Sequence, residues 1–382
     1  MKFTKSTWAA VGAALFLAAC GGGDGNGTQS SKVTFSSMVS FGDSLSDVGT
    51  YDVGAVAALG GGVAAKGSGK YTVNSPTAKN WTELISTQLG VIAPCPAQTG
   101  LNGTAPGFTV PVLDHAGCTN YAQGGARVTQ PYGPYNVNLG GDGAKVGQLT
   151  VPVVDQIAKH LTTTTNGKFS GTEIITVMAG GNDGIMNTLT YMAAVTGTGP
   201  APLDVPWSQA NASTLVTGAM TTAATDLVTL VKNQILANGA KYVVVVNLPN
   251  LAITPFAAVE DATVPNIGTR NVIGTMVNAF NTALASGLAG VANVVIVDAY
   301  ASSTDQFNNP SAYGLTNVTG PACNLTSPSP NAIASSLVCN ASNVNTGDVS
   351  HYLFADTVHP TPYGYQQLAQ LVSKQLVFAG WL

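Results

Sequence analysis

A serine at the end of an apolar stretch and a histidine three residues after an aspartate are parts of a nucleophilic catalyst, and this chain carries one near each end. Gly42-Asp43-Ser44-Leu45-Ser46-Asp47 follows Met38-Val39-Ser40-Phe41, which reads as a strand delivering Ser44 to a strand-to-helix turn. Asp356-Thr357-Val358-His359-Pro360 stands just before the last helix-like segment. A serine hydroxyl is a weak nucleophile until a base takes its proton, so Ser44 needs a partner such as His359. Asp356 can accept from one ring nitrogen while the other faces Ser44, which fixes the tautomer and stabilises the imidazolium. The catalytic set expected is therefore Ser44, Asp356 and His359. Asp47 reads as structural, a cap or turn residue in the helix after Ser44.

Charge that develops on a carbonyl oxygen needs donors. Asn182, in Gly180-Gly181-Asn182-Asp183, offers a neutral amide at the end of a predicted strand. Gly125, in Asn120-Tyr121-Ala122-Gln123-Gly124-Gly125-Ala126, lets a backbone N–H approach a substrate closely. Alone, each stretch is an ordinary turn, loop or cap; four of them in order carry the reading. A second Asp-x-x-His unit, Asp348-Val349-Ser350-His351, lies eight residues before the first. The later unit is preferred, because Thr361-Pro362 opens the final helix directly after it. Tyr352-Leu353-Phe354, between the two, reads as an apolar anchor that leaves His351 facing elsewhere.

Elements able to bring these residues together alternate along the chain. Strands are expected over 33–41, 173–178, 241–248 and 293–298. Helices are expected from Ser75-Pro76 to Leu89, along the stripe Val146, Leu149, Val153, Ile157 and Leu161, and over 210–237, 271–288 and 362–378. Such alternation argues for parallel βαβ units covered on both faces. Stretches 54–70, 90–120, 130–143, 184–206 and 299–349 read as loop-rich insertions. No run after the leader reads as a membrane span. Trp81 and Trp207 read as packing residues.

The four stretches together resemble the blocks of a GDSL, or SGNH, hydrolase: Gly42 to Leu45 for the nucleophile, Asn120 to Ala126 for the glycine, Gly180 to Asp183 for the asparagine and Asp356 to Pro360 for the acid–base pair. That resemblance covers about 39–376 and implies an α/β fold, a three-layer α/β/α sandwich on a five-stranded parallel sheet, here with long loop insertions. It also implies Ser44 as nucleophile, His359 as base and an oxyanion hole of the Ser44 and Gly125 N–H groups with the Asn182 amide. The chain is longer than the minimal core, so pocket shape does not carry over. Gly-x-Ser-x-Gly, His-Glu-x-x-His and Walker A signatures do not occur, and no Rossmann glycine fingerprint stands in the required context.

Export is expected from the first residues. Lys2 and Lys5 precede an apolar run ending in Leu17-Ala18-Ala19-Cys20, which resembles a bacterial lipobox. The reading is a signal peptide over 1–19, a lipidated Cys20 opening a flexible tether over 20–32, and a single domain over 33–382. The partners expected are an ester substrate and a membrane reached through Cys20. Only 8% of the chain is charged, the net charge is -4 and no basic stripe occurs, which argues against nucleic acid. Of five cysteines, four remain beyond Cys20; they allow three pairings, of which Cys95–Cys118 and Cys323–Cys339 are favoured as local loop closures. His115, three residues before Cys118, reads as incidental, and no metal or cofactor is expected.

The activity expected is carboxylic ester hydrolysis through an acyl-serine intermediate. Ile185, Met186, Leu189, Tyr191 and Met192 offer an apolar, adaptable acyl pocket after Asn182, which favours acyl or lipid esters. The alternatives are a carbohydrate acetylesterase on the same scaffold and a non-catalytic surface lipoprotein; the intact set of Ser44, Gly125, Asn182, Asp356 and His359 argues against the latter.

Overall fold

The computed structural model describes residues 32–60, 69–197, 211–326 and 331–382. Its strands are β1 (Met38–Gly42), β2 (Gln98–Asn102), β3 (Thr109–Asp114), β4 (Ile174–Met178), β5 (Val243–Val246), β6 (Val294–Val297), β7 (Asn317–Pro321) and β8 (Tyr352–Phe354). Its α-helices are α1 (Gly54–Leu59), α2 (Trp81–Leu89), α3 (Gly141–Val146), α4 (Val153–Thr163), α5 (Gly181–Thr196), α6 (Ala212–Leu230), α7 (Pro255–Thr263), α8 (Thr269–Leu288), α9 (Ala299–Asn308) and α10 (Pro362–Phe378). The expected signal peptide, Cys20 and Trp207 lie outside the described residues.

Four strands form a parallel sheet in the order β1-β4-β5-β6. A fifth position, beside β1, is filled by the segment around Asn120. Ser40 N–H donates to Thr119 O at 3.0 Å, and Tyr121 N–H donates to Ser40 O at 2.8 Å. The five-stranded sheet implied by the resemblance is thus four regular strands plus one segment held by a single bridge at Asn120. With that segment counted second, the chain crosses the sheet in the order 2-1-3-4-5. Ligands bind such sheets at the carboxyl ends of the strands, beside the point where the order reverses.

Period-2 alternation of apolar residues makes the layers. Val39, Phe41, Ile175, Val177, Val243 and Val245 pack into the core under α4, α5, α6 and α8. Met38, Ile174, Met178, Val244 and Val246 face the other way, into the cluster that holds α2 and α10. The result is the three-layer α/β/α sandwich.

Several elements differ from the sequence reading. The helical run 212–238 is long and apolar enough to cross a membrane by length and composition. Its Val216, Met220, Leu227 and Val231 are nonetheless buried in the core, and α6 packs along α8. Helix α2 starts at Trp81, not at Ser75-Pro76. Asn80 Oδ1 accepts the Thr82 and Glu83 N–H groups while Glu83 Oε2 accepts the Asn80 N–H, a capping box. The stripe from Val146 to Leu161 is interrupted, because Gly147 in the left-handed region ends α3 and α4 begins only after Pro152. Three expected loops, 54–70, 184–206 and 299–349, hold the helices α1, α5 and α9, and a fourth, 90–120, holds the β2–β3 hairpin. In α5 the threonines return their hydroxyls to the helix: Thr188, Thr190 and Thr196 donate to the carbonyls four residues back.

Both favoured disulfides are formed, Cys95–Cys118 and Cys323–Cys339. The first holds the fifth sheet position, since Asn120 N–H donates to Cys95 O at 3.2 Å and Ala97 N–H to Asn120 O at 2.7 Å. Disulfides belong to oxidising compartments and point to a protein outside the cytoplasm.

Candidate active site

The expected nucleophile, Ser44, is presented by a turn packed tightly against the sheet. β1 ends at Gly42, whose φ is +153°. A Cβ there would stand 2.2 Å from Met178 O, so no other residue fits between the ends of β1 and β4. Gln156 clamps the same peptide: Gly42 N–H donates to Gln156 Oε1 at 2.9 Å, and Gln156 Nε2 donates to Gly42 O at 2.8 Å. Beyond it the chain makes turns instead of the expected helix. Asp43 Oδ1 accepts the Leu45 N–H at 3.0 Å, and Asp43 O accepts the Ser46 N–H at 3.0 Å. Asp47 is structural, as expected, but acts through turns. Its Oδ1 accepts from Gly49 and Thr50, and its Oδ2 reaches across to the Gly124 N–H at 2.9 Å. Trp81 is a packing residue, fully buried, with its indole N–H on Ser46 Oγ at 3.2 Å.

The acid–base pair meets Ser44 from the opposite end of the sequence. Ser44 Oγ lies 2.8 Å from His359 Nε2. His359 Nδ1 is 2.8 Å from Asp356 Oδ1 and 2.7 Å from Oδ2. Asp356 is buried, which alone would raise its pKa. The charge of His359 and hydrogen bonds from His359, Ser336 and Val358 outweigh that and hold the carboxyl well below the usual carboxylate range. Asp356 is therefore a carboxylate at every pH where the imidazole works. Burial has the opposite net effect on Asp43, which it pushes up to about 7 despite the Leu45 hydrogen bond, and on Asp47, up to about 6.

The expected donors come from a loop and the first turn of α5, tied together by an ion pair. Gly125 has φ +78°, and a Cβ there would meet Pro134 O and Thr150 Cγ2 at 2.6 Å. Asn182 sits in the first turn of α5 and donates from Nδ2 to Ala126 O at 2.9 Å, which leaves its second amide hydrogen for a ligand. Arg127 Nε and Asp183 Oδ1 are 3.0 Å apart with both side chains almost fully buried, and Val128 N–H donates to Asp183 Oδ2 at 3.1 Å. Each partner of this pair neighbours a donor segment, so the pair sets the spacing of Gly125 and Asn182.

Sequence reasoning missed Tyr71. Its ring lies 4.7 Å from that of His359, tilted by 37°. Its hydroxyl is buried, without a hydrogen-bond partner, and packs onto Gly124. No local motif marks it; its segment is recognisable only in space, where Thr72 Oγ1 donates to Pro360 O at 3.0 Å and Tyr365 OH to Tyr71 O at 3.2 Å.

The expected decoy stands apart. His351 stacks on Tyr363 with ring centres 4.3 Å apart, and its Nδ1 donates to Gly314 O at 2.9 Å. Asp348 Oδ1 accepts instead from Ser350 N–H and Oγ. Leu353 and Phe354 are buried, as the anchor reading requires. His115 bonds Thr99 Oγ1 at 2.8 Å. Among the described residues no group of three or more His, Cys, Asp or Glu is placed to hold a metal ion.

Two cavities open from the catalytic residues. One, of about 630 Å³, is lined in part by Tyr71, Gly125, Ile185, Met186 and Leu189. The other, of about 100 Å³, also touches Ser44, Asn182, Ile185 and His359. Tyr191 and Met192 line neither; this part of the expected acyl pocket is incorrect. They are buried in the core, with the Tyr191 hydroxyl on Ile267 O. Tyr191 falls on a different helix face from Ile185, and Met192 lies seven residues, about 10 Å, further along α5.

The model of the GDSL-like lipase/acylhydrolase family matches residues 38–372, from the first residue of β1 into α10. The chain belongs to this family. Among curated proteins no sequence matches it. The GDSL-like match spans all four blocks and both disulfides, and membership implies hydrolysis of ester bonds.

Proposed function

We propose that this protein is an exported carboxylic ester hydrolase that works through an acyl-serine intermediate. The observation that carries the reading is the continuous relay from Ser44 Oγ to His359 Nε2 at 2.8 Å and from His359 Nδ1 to the Asp356 carboxylate. As Ser44 Oγ attacks the ester carbonyl carbon, its proton passes to His359 Nε2. The oxyanion forms against the Gly125 and Ser44 N–H groups and the free Asn182 amide hydrogen. The C–O bond to the alcohol breaks as His359 returns the proton to the leaving oxygen. Water then gives a proton to His359 and its hydroxide to the acyl carbon, and the acid leaves as Ser44 recovers its proton.

Acyl or lipid esters are the favoured substrates, because Ile185, Met186 and Leu189 give the larger cavity an apolar wall and no tryptophan among the described residues lines either cavity. At the N-terminus the lipobox-like Leu17-Ala18-Ala19-Cys20 supports a lipid anchor on Cys20, a tether over 20–32 and a single catalytic domain over 33–382. Ser44→Ala should abolish hydrolysis of butyrate, decanoate and acetylxylan esters while leaving the thermal unfolding curve in place. Wild-type kcat in that variant would refute the mechanism. Cys20→Ser should move the protein out of the detergent phase, and detergent partitioning that does not depend on Cys20 would end the lipoprotein reading.

A further inference from the structure

We infer that the two cavities divide the ester, with a short acyl chain in the narrow one and a bulky, amphiphilic alcohol portion in the wide one. The inference rests on the ester hydrolase reading above. Both cavities share Ser44, Asn182, Ile185, Val358 and His359, so a carbonyl carbon held at Ser44 Oγ sits at their junction. Their walls differ. The narrow cavity runs between the ends of β4 and β5, α9 and α10, and is faced by Leu45, Met178, Leu251, Ile253, Leu368 and Leu371. The wide cleft mixes Asn138, Gln148, Glu260 and Ser335 with the exposed apolar side chains Leu189 and Val259.

The chemistry assigns the sides. The acyl group stays bonded to Ser44 while the alcohol departs, and the water that follows attacks from the place the alcohol has left. That place must be open and hydrated, which suits the cleft of about 630 Å³. The group that stays gains from a dry, apolar wall. A volume of about 100 Å³ is smaller than the roughly 150 Å³ apolar cavity that takes up benzene, so it holds a chain of about four carbons. On this reading Met186 and Leu189 contact the alcohol portion, and Ile185 borders both sides.

The test is acyl selectivity, measured as kcat/KM on acetate, butyrate and decanoate esters of one alcohol. The wild type should favour butyrate over decanoate by about tenfold or more. Ser302→Phe, which fills the narrow cavity from α9, should lower the butyrate-to-acetate ratio about tenfold. Leu371→Ala should raise the decanoate-to-butyrate ratio, and it carries the test if Ser302→Phe does not fold. Val259→Trp, on the wide cleft, should shift preference among alcohols and leave the acyl ratios where they were. Acyl ratios that respond to Val259→Trp and not to the narrow-cavity variants would overturn the assignment while the hydrolase reading stands. A folded wild type that hydrolyses none of these esters would bring down both.

Discussion

The backbone N–H of Ser336 donates to Asp356 Oδ2 at 3.0 Å, so a residue of the Cys323–Cys339 loop helps to hold the catalytic carboxylate. The same loop grips the preceding residue, because Cys323 N–H donates to Ala355 O at 2.8 Å. This insertion is therefore expected to support the proposed catalytic carboxylate. Its disulfide joins residues 16 apart, and breaking it should cost about 3 kcal/mol of stability. The double variant Cys323→Ser/Cys339→Ser should also lose kcat, by roughly tenfold, with KM little changed, since the Asp356 contact orients the base and not the substrate. Full kcat in the folded double variant would remove the loop from catalysis.

Asn182 donates one amide hydrogen to Ala126 O, and the other is the one proposed for the oxyanion. Asn182→Ala should lower kcat by about 10²-fold with a smaller effect on KM, because the donor acts mainly on charge that develops in the transition state. Steady-state kinetics on one ester decide this, and an unchanged kcat would exclude Asn182 from the hole. Asp183→Asn should show a weaker version of the same defect, as the buried Arg127 then loses its charge partner.

Much of this site was legible in the sequence because its blocks are local. Ser44, Gly125, Asn182, Asp356 and His359 sit in short stretches whose turn chemistry and order can be read directly. The sheet was legible from runs such as Tyr242 to Val246, and α10 from Thr361-Pro362, where Thr361 Oγ1 does accept the Gly364 N–H. What stayed hidden depends on contacts between distant residues. Tyr71 reaches His359 across most of the chain, and the Arg127–Asp183 pair joins a loop to the first turn of α5, with no local sign of either in the other. Helix α5 was obscured by its threonines, asparagines and glycines, poor helix formers that tertiary packing overrides. Of the five residues expected to line an acyl pocket, Ile185, Met186 and Leu189 in the first turns of α5 face a cavity, while Tyr191 and Met192 further along turn into the core.

Asp43 gives a pH dependence whose sign can be worked out. Burial lifts its pKa from 3.8 to about 7 in the folded protein. Between those values the folded state keeps a proton that the unfolded chain has released, so rising pH favours unfolding. Asp43→Asn removes this titration and should gain stability relative to wild type as pH rises from 4 to 8. The gain is bounded by about 4 kcal/mol, from roughly three pKa units at about 1.4 kcal/mol each. Taking the difference between the two proteins cancels the contribution of His160, which runs the other way because burial pushes its imidazole down to about 4. Denaturant unfolding of both across this range is the measurement, and parallel curves would show that Asp43 does not titrate there.

The two Asp-x-x-His units offer the most discriminating comparison. They share spacing and lie eight residues apart in the chain, but the structure gives the two histidines different surroundings. His359 is set between Ser44 Oγ and the Asp356 carboxylate, with Tyr71 against its ring. His351 is exposed, bonded to a backbone carbonyl and stacked on Tyr363. His359→Ala should therefore lose about 10³-fold or more in kcat, while His351→Ala stays near wild type. Asp356, held low, stays ionised and sets no acid limit of its own. If His351→Ala is the inactive variant and His359→Ala the active one, the base and its carboxylate are His351 and Asp348, and the contact between Ser44 and His359 is not the one that catalyses.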